Sequence, residues 1–148
     1  MNPLLRIAVA GLTAGLFAMP SCAEHRKVVD GVAINIGVVP ATQLLRADPY
    51  ERAIHRTAAA DATHHVVVAV ANAQTGDAIG DARVTLELVD PRGGTQRKPL
   101  VRGEPGGAPD YSEMFRFGWA GEYRLRVTVE RAGASPVKTV FGWTQAGY

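Results

Sequence analysis

The chain has 148 residues, a formal net charge of +2 at neutral pH, one cysteine and four histidines. That length supports one domain with a proper core, and a lone cysteine excludes an internal disulfide. The near-balanced charge gives no ground for binding nucleic acid or an anionic membrane.

The chain opens on a short basic start, Met1 to Arg6, then an uncharged apolar run from Ile7 to Met19, then small residues at Ser21 and Ala23. This is the three-part layout of a secretory signal, too short and wrongly flanked for a membrane span. Ser21 and Ala23 satisfy the small-x-small rule for cleavage before Glu24. The expected organisation is a signal over 1–23 and a single domain over 24–148, exported to the periplasm. Such cleavage discards Cys22 and, with Arg6 gone, leaves a charge of +1. A second reading makes Cys22 the lipidated first residue of a membrane-tethered lipoprotein, although Pro20 departs from that signal. Only in that reading does the chain meet a membrane.

Beyond the leader, alternation with period two dominates. Val32, Ile34, Ile36 and Val38 share one strand face. Asp48-Pro49-Tyr50-Glu51 follows with an N-cap carboxylate, a first-turn proline and a capping-box glutamate, predicting a helix of two to three turns that ends before Thr63. Val66 to Ala71 is an almost wholly apolar strand. Ala82, Val84, Leu86 and Leu88 oppose Arg83, Thr85 and Glu87, and Tyr111 to Phe117 points Phe115 and Phe117 one way. Tyr123, Leu125, Val127 and Val129 oppose Arg124, Arg126, Thr128 and Glu130; Val137, Thr139, Phe141 and Trp143 make a last set. Strands of this kind put one face on a core and one in water. The segment from Arg92 to Asp110 is the least regular, with a short edge strand expected near Lys98 to Val101. Loop chemistry separates the strands, and no helix-length crossover lies between the later ones. The expected fold is all-β: an immunoglobulin-like antiparallel sandwich with one short helix after the first strand.

Trp119-Ala-Gly-Glu-Tyr-Arg-Leu125 resembles the corner before a late strand of immunoglobulin-like sandwiches, where a tyrosine hydroxyl pins nearby backbone. That resemblance gives Tyr123 the pinning role, while Leu125 stands where antibody domains carry a cysteine. Ala73 to Val84, with a Thr-Gly turn leading to an inward Ala82, looks like the inter-strand phrase of exported bacterial sandwiches. From Val28 to Trp143 the chain resembles small periplasmic proteins of the YtkA-like type, some associated with copper or iron handling. The resemblance implies shape first and metal handling second.

The candidates for chemistry are His25, His55, His64, His65 and Met114. Imidazole suits copper, zinc or iron, and a thioether beside imidazoles favours copper. Adjacent His64 and His65 must point to opposite strand faces, so only one can join His55, with His25 from the chain start as a further donor. Met114 lies with Arg116 on the face opposite Phe115 and Phe117 and is expected to be exposed. The plainer alternative has His64 ending a core strand, His55 paired with Glu51, and Met114 merely packing. No nucleophile elbow and no glycine-rich nucleotide loop is present, so no enzyme is expected. The expected partners are a transition-metal ion, copper first, or another envelope protein docked on a sheet edge or face.

Overall fold

Residues that are β-branched or aromatic at every second position form the strands, because alternate side chains then leave water on one face only. The computed structural model describes residues 25–47 and 61–147. In chain order the strands are β1 (Arg26–Val29), β2 (Val32–Pro40), β3 (His64–Asn72), β4 (Arg83–Val89), β5 (Thr95–Pro99), β6 (Val101–Gly103), β7 (Asp110–Phe115), β8 (Gly121–Glu130) and β9 (Val137–Gln145). Among the described residues one α-helix, α1 (Ala41–Ala47), follows β2 directly, and a single 3-10 turn spans Pro105–Gly107.

All pairings are antiparallel, in sheets ordered β1-β2-β3-β7-β6 and β5-β4-β8-β9. The inward sets meet between them: Val32, Ile34 and Ile36; Val66, Val68 and Val70; Val84, Leu86 and Leu88; Leu125, Val127 and Val129. The fold is the expected all-β sandwich. The short helix α1 precedes Asp48, and the helix expected from the capping signal at Asp48 falls at residues outside those described.

Three local devices shape the sandwich. Asp30 and Gly31, with φ of 48° and 75°, make the two-residue turn that matches strand twist between β1 and β2. Leu100 switches the chain between sheets: β5 belongs to the four-stranded layer and β6 to the five-stranded one. Its buried side chain and its amide, bonded to the Val84 carbonyl at 2.8 Å, fix that crossing. The segment expected to be least regular therefore holds two short strands instead of one.

The third device is the tyrosine corner. Tyr123 donates its hydroxyl to the Trp119 carbonyl and accepts from the Trp119 amide, both at 2.9 Å. Tyr111 makes a second pin of the same chemistry, donating to the Ile79 carbonyl at 2.9 Å and accepting from the Ala82 amide at 3.1 Å. Each satisfies a buried phenol while tying a loop to the core.

On the outer face of the four-stranded sheet, Arg83 stands opposite Glu130 and Glu87 opposite Arg126. Their ion pairs measure 3.9 and 2.7 Å. This is the mixed-charge, solvated face that the alternation predicts.

Candidate functional site

Strand parity and register decide what each candidate residue meets. In β3, His64 continues the inward row of Val66, Val68 and Val70, while His65 points to the other side, as adjacent strand residues must. Register then pairs His64 with Phe115 and His65 with Met114 of β7.

The His65–Met114 pair is of the closer kind. The Met114 amide and carbonyl are bonded on the side away from β3, to Glu113 Oε1 at 2.7 Å and Lys98 Nζ at 2.6 Å. A residue whose backbone bonds turn away from its neighbour forms a non-hydrogen-bonded pair with it, with Cα atoms about 4.5 Å apart and side chains at their nearest. The imidazole and the thioether therefore lie side by side on one face.

Both are buried, His65 at 0% and Met114 at 2% exposure. This corrects the expectation that Met114 is exposed. Its strand face is the one expected, opposite Phe115, but that outward face is covered here, since Ser112 beside it is also buried. α1 packs on β2 and β3 at this end. On the β2 side His65 is flanked by Val39, which is 37% exposed, so solvent reaches the border of the pair.

His64 belongs to a different environment. Its ring lies 4.7 Å from that of Phe117, which in turn lies 4.7 Å from Tyr123 and edge-on to Trp143. Its Nδ1 is 2.9 Å from the Thr63 hydroxyl, which also accepts the Phe117 amide at 2.8 Å. With that lone pair engaged, the hydroxyl proton is free to go to Nδ1, which fits a neutral imidazole protonated on Nε2. Burial lowers the His64 pKa below its ordinary value of 6.5. His64 thus ends a core row, as the plainer alternative holds.

His25 precedes β1, exposed, with its carbonyl accepting from the Ile36 amide at 2.8 Å. Ile36 is level with Val68, so His25 sits two strands across and three residues along from His65, roughly 14 Å by ladder spacing. His55 and the proposed Glu51 contact lie outside the described residues. Among the described residues no group of three His, Cys, Asp or Glu converges.

Two features were invisible to residue patterning. Nothing short-range announces that residues 65 and 114 meet, because the pairing comes from sheet order. The role of Lys98 is likewise non-local: it leaves the edge strand β5, passes its ammonium over the Phe115 ring at 5.2 Å and ends on the Met114 carbonyl. A groove of about 470 Å³ crosses the outer face of the other sheet, lined by Glu87, Arg97, Arg126 and Lys138. It is in the layer opposite the His65–Met114 pair, and its Glu87 and Arg126 neutralise one another.

The chain is similar in fold to FetP of uropathogenic Escherichia coli, at 14% identity and a TM-score of 0.65, over 85% of this chain and 95% of that one. A DUF4426-family protein of Pseudomonas aeruginosa matches at 16% identity and a TM-score of 0.64, over 83% and 97%. Copper-reconstituted P19 of Campylobacter jejuni matches at 13% identity and a TM-score of 0.64, over 82% and 93%. That FetP was recombinantly expressed in the periplasm, and copper-bound variants of FetP and P19 are among the similar structures. No protein-family model matches the chain, and no curated protein does. At these identities the likeness is one of fold.

Proposed function

We propose that this is a non-enzymatic periplasmic binding protein for a transition-metal ion, copper first, that captures or delivers the ion at the outer face of β3 and β7. The observation that carries the reading is the direct cross-strand pairing of buried His65 and Met114. An imidazole nitrogen beside a thioether sulfur is a borderline-to-soft donor set, suited to copper and unsuited to calcium or magnesium. The shared fold with FetP and P19, whose copper-bound structures are known, supports the same choice.

Two donors are too few for a closed site. We assign the third to His55, six residues before Asp61 in the connection from α1 to β3. His64, committed to the core, and His25, just before β1, stand outside this set. Burial serves the function, since a dry pair holds an ion away from competing water and chloride.

The test is metal analysis of the full chain exported to and purified from the periplasm, followed by Cu(I) competition titration. One copper per chain is expected, with affinity reduced in both His65→Ala and Met114→Leu while far-UV circular dichroism stays unchanged. If no stoichiometric copper, zinc or iron is found or taken up, the reading is lost.

A further inference from the structure

The outer face of the four-stranded sheet sets out its charges in a fixed order. One row across the strands runs Arg97, Glu87, Arg126, Val140. The next, two residues along, runs Pro99, Thr85, Thr128, Lys138, and beyond it Arg83 stands opposite Glu130. The groove of about 470 Å³ lies over these rows, with Pro136 on its wall. Its two carboxylates are already answered: Glu87 accepts from Arg126 Nη1 at 2.7 Å, and Glu130 lies 3.9 Å from Arg83. Arg97 and Lys138 are not answered. Both are exposed, and neither side chain makes a hydrogen bond or ion pair among the described residues. The groove therefore keeps two positive charges, one on each flank. Three strand spacings and two residues separate them, roughly 16 Å between Cα atoms.

We propose that this groove docks an extended acidic segment of another protein, with two carboxylates four residues apart, one for Arg97 and one for Lys138. Residues four apart in an extended chain share one face and lie roughly 14 Å from each other. The long Arg and Lys stems take up the difference, and the guanidinium of Arg97 can meet its carboxylate with two parallel bonds. Between the flanks, Thr85 and Thr128 stand directly opposite one another with half-buried hydroxyls, which can donate to carbonyls of the segment. Val140, 44% exposed, supplies apolar contact in the same groove.

The interior of the groove narrows the partner's chemistry. Glu87 and Glu130 are both on its lining, so residues between the two acids of the segment must be uncharged or basic. A continuous polyanion such as a nucleic-acid strand would carry negative charge over those carboxylates. A protein segment with separated acids avoids them. The groove belongs to the layer opposite β3 and β7, so the inference does not rest on the His65–Met114 pair.

The test is fluorescence anisotropy of the full chain, in the presence of a chelator, with a labelled uncharged peptide carrying two glutamates four positions apart. Saturable binding that weakens with added salt is expected. Arg97→Gln and Lys138→Gln should each weaken it by roughly 1.5- to 5-fold, the worth of one exposed charge pair, with unchanged circular dichroism. Glu87→Gln should tighten it, because Arg126 is released towards the ligand. Arg124→Gln, on the same face but outside the groove, should bind as wild type. The peptide with adjacent glutamates should bind less tightly, and its glutamine counterpart not at all. Absence of binding to the spaced peptide overturns the inference. So does an equal loss in Arg124→Gln, which would reduce the effect to general attraction by a positive surface. Tighter binding of an oligogalacturonate of equal charge would assign the groove to an acidic glycan and overturn the peptide assignment.

Discussion

The ammonium of Lys98 donates to the carbonyl of Met114 at 2.6 Å, joining the edge of one sheet to the strand that carries the thioether in the other. β6 pairs with β7 only from Asp110 to Ser112, so the outward backbone of Met114 has no strand partner on that side. Lys98 and the Glu113 carboxylate stand in for one. Lys98→Met keeps the aliphatic stem over Phe115 and removes the charge-assisted bond. It is expected to cost about 1.5–3 kcal/mol in urea unfolding, the range for a hydrogen bond to a charged group. On the proposed function it also weakens Cu(I) binding, because Met114 loses its backbone anchor. Lys98→Arg is expected to restore part of both.

Tyr123→Phe removes two hydrogen bonds and keeps the ring. It leaves the amide and carbonyl of Trp119 without their partner, at an expected cost of about 1–2 kcal/mol. Tyr111→Phe is expected to cost a similar amount through Ile79 and Ala82. In both variants the urea midpoint should drop with the slope unchanged, since the surface exposed on unfolding is the same. A midpoint identical to wild type would show that the corners guide the chain without stabilising it.

Much of the sandwich was legible because its signal is local. Val84 to Leu88 and Tyr123 to Val129 state their inward and outward faces residue by residue, and Tyr123 carries its corner within seven residues. β1 is too short to declare a period: Arg26 and Lys27 dilute it, and only pairing with Ile34 and Asn35 makes it a strand. The sheet switch at Leu100 depends on which strands its neighbours find, which no window around it contains. For the candidate site, parity alone separates His64 from His65. Parity also puts Met114 on the correct face, but burial depends on what covers that face. The meeting of His65 with Met114 needs the order β2-β3-β7, and that order is a property of the whole fold.

The outer charges should matter little. Glu87 and Arg126 pair directly across β4 and β8 at 2.7 Å, in contact with solvent. Glu87→Gln is expected to cost about 0.2–1 kcal/mol at low ionic strength and to approach zero in high salt, as exposed pairs do. A loss that persisted in molar salt would mean that the pair is shielded from solvent and part of a larger network.

His64 predicts the acid response. Its folded pKa lies below its unfolded value of 6.5 because burial disfavours the imidazolium. Between those two values the unfolded chain binds more protons than the folded one, so stability rises with pH across that window. The contribution is complete above about pH 6.5 and is lost progressively as the pH falls towards the folded pKa. Protonation also removes the acceptor lone pair on Nδ1 that faces Thr63, at the point where Thr63 holds the Phe117 amide. His64→Phe keeps a ring against Phe117 and cannot titrate. Thermal melts of the two proteins between pH 8 and pH 5 are expected to diverge: wild type loses stability more steeply below pH 6.5 than His64→Phe. Parallel curves would remove His64 as the source of acid sensitivity.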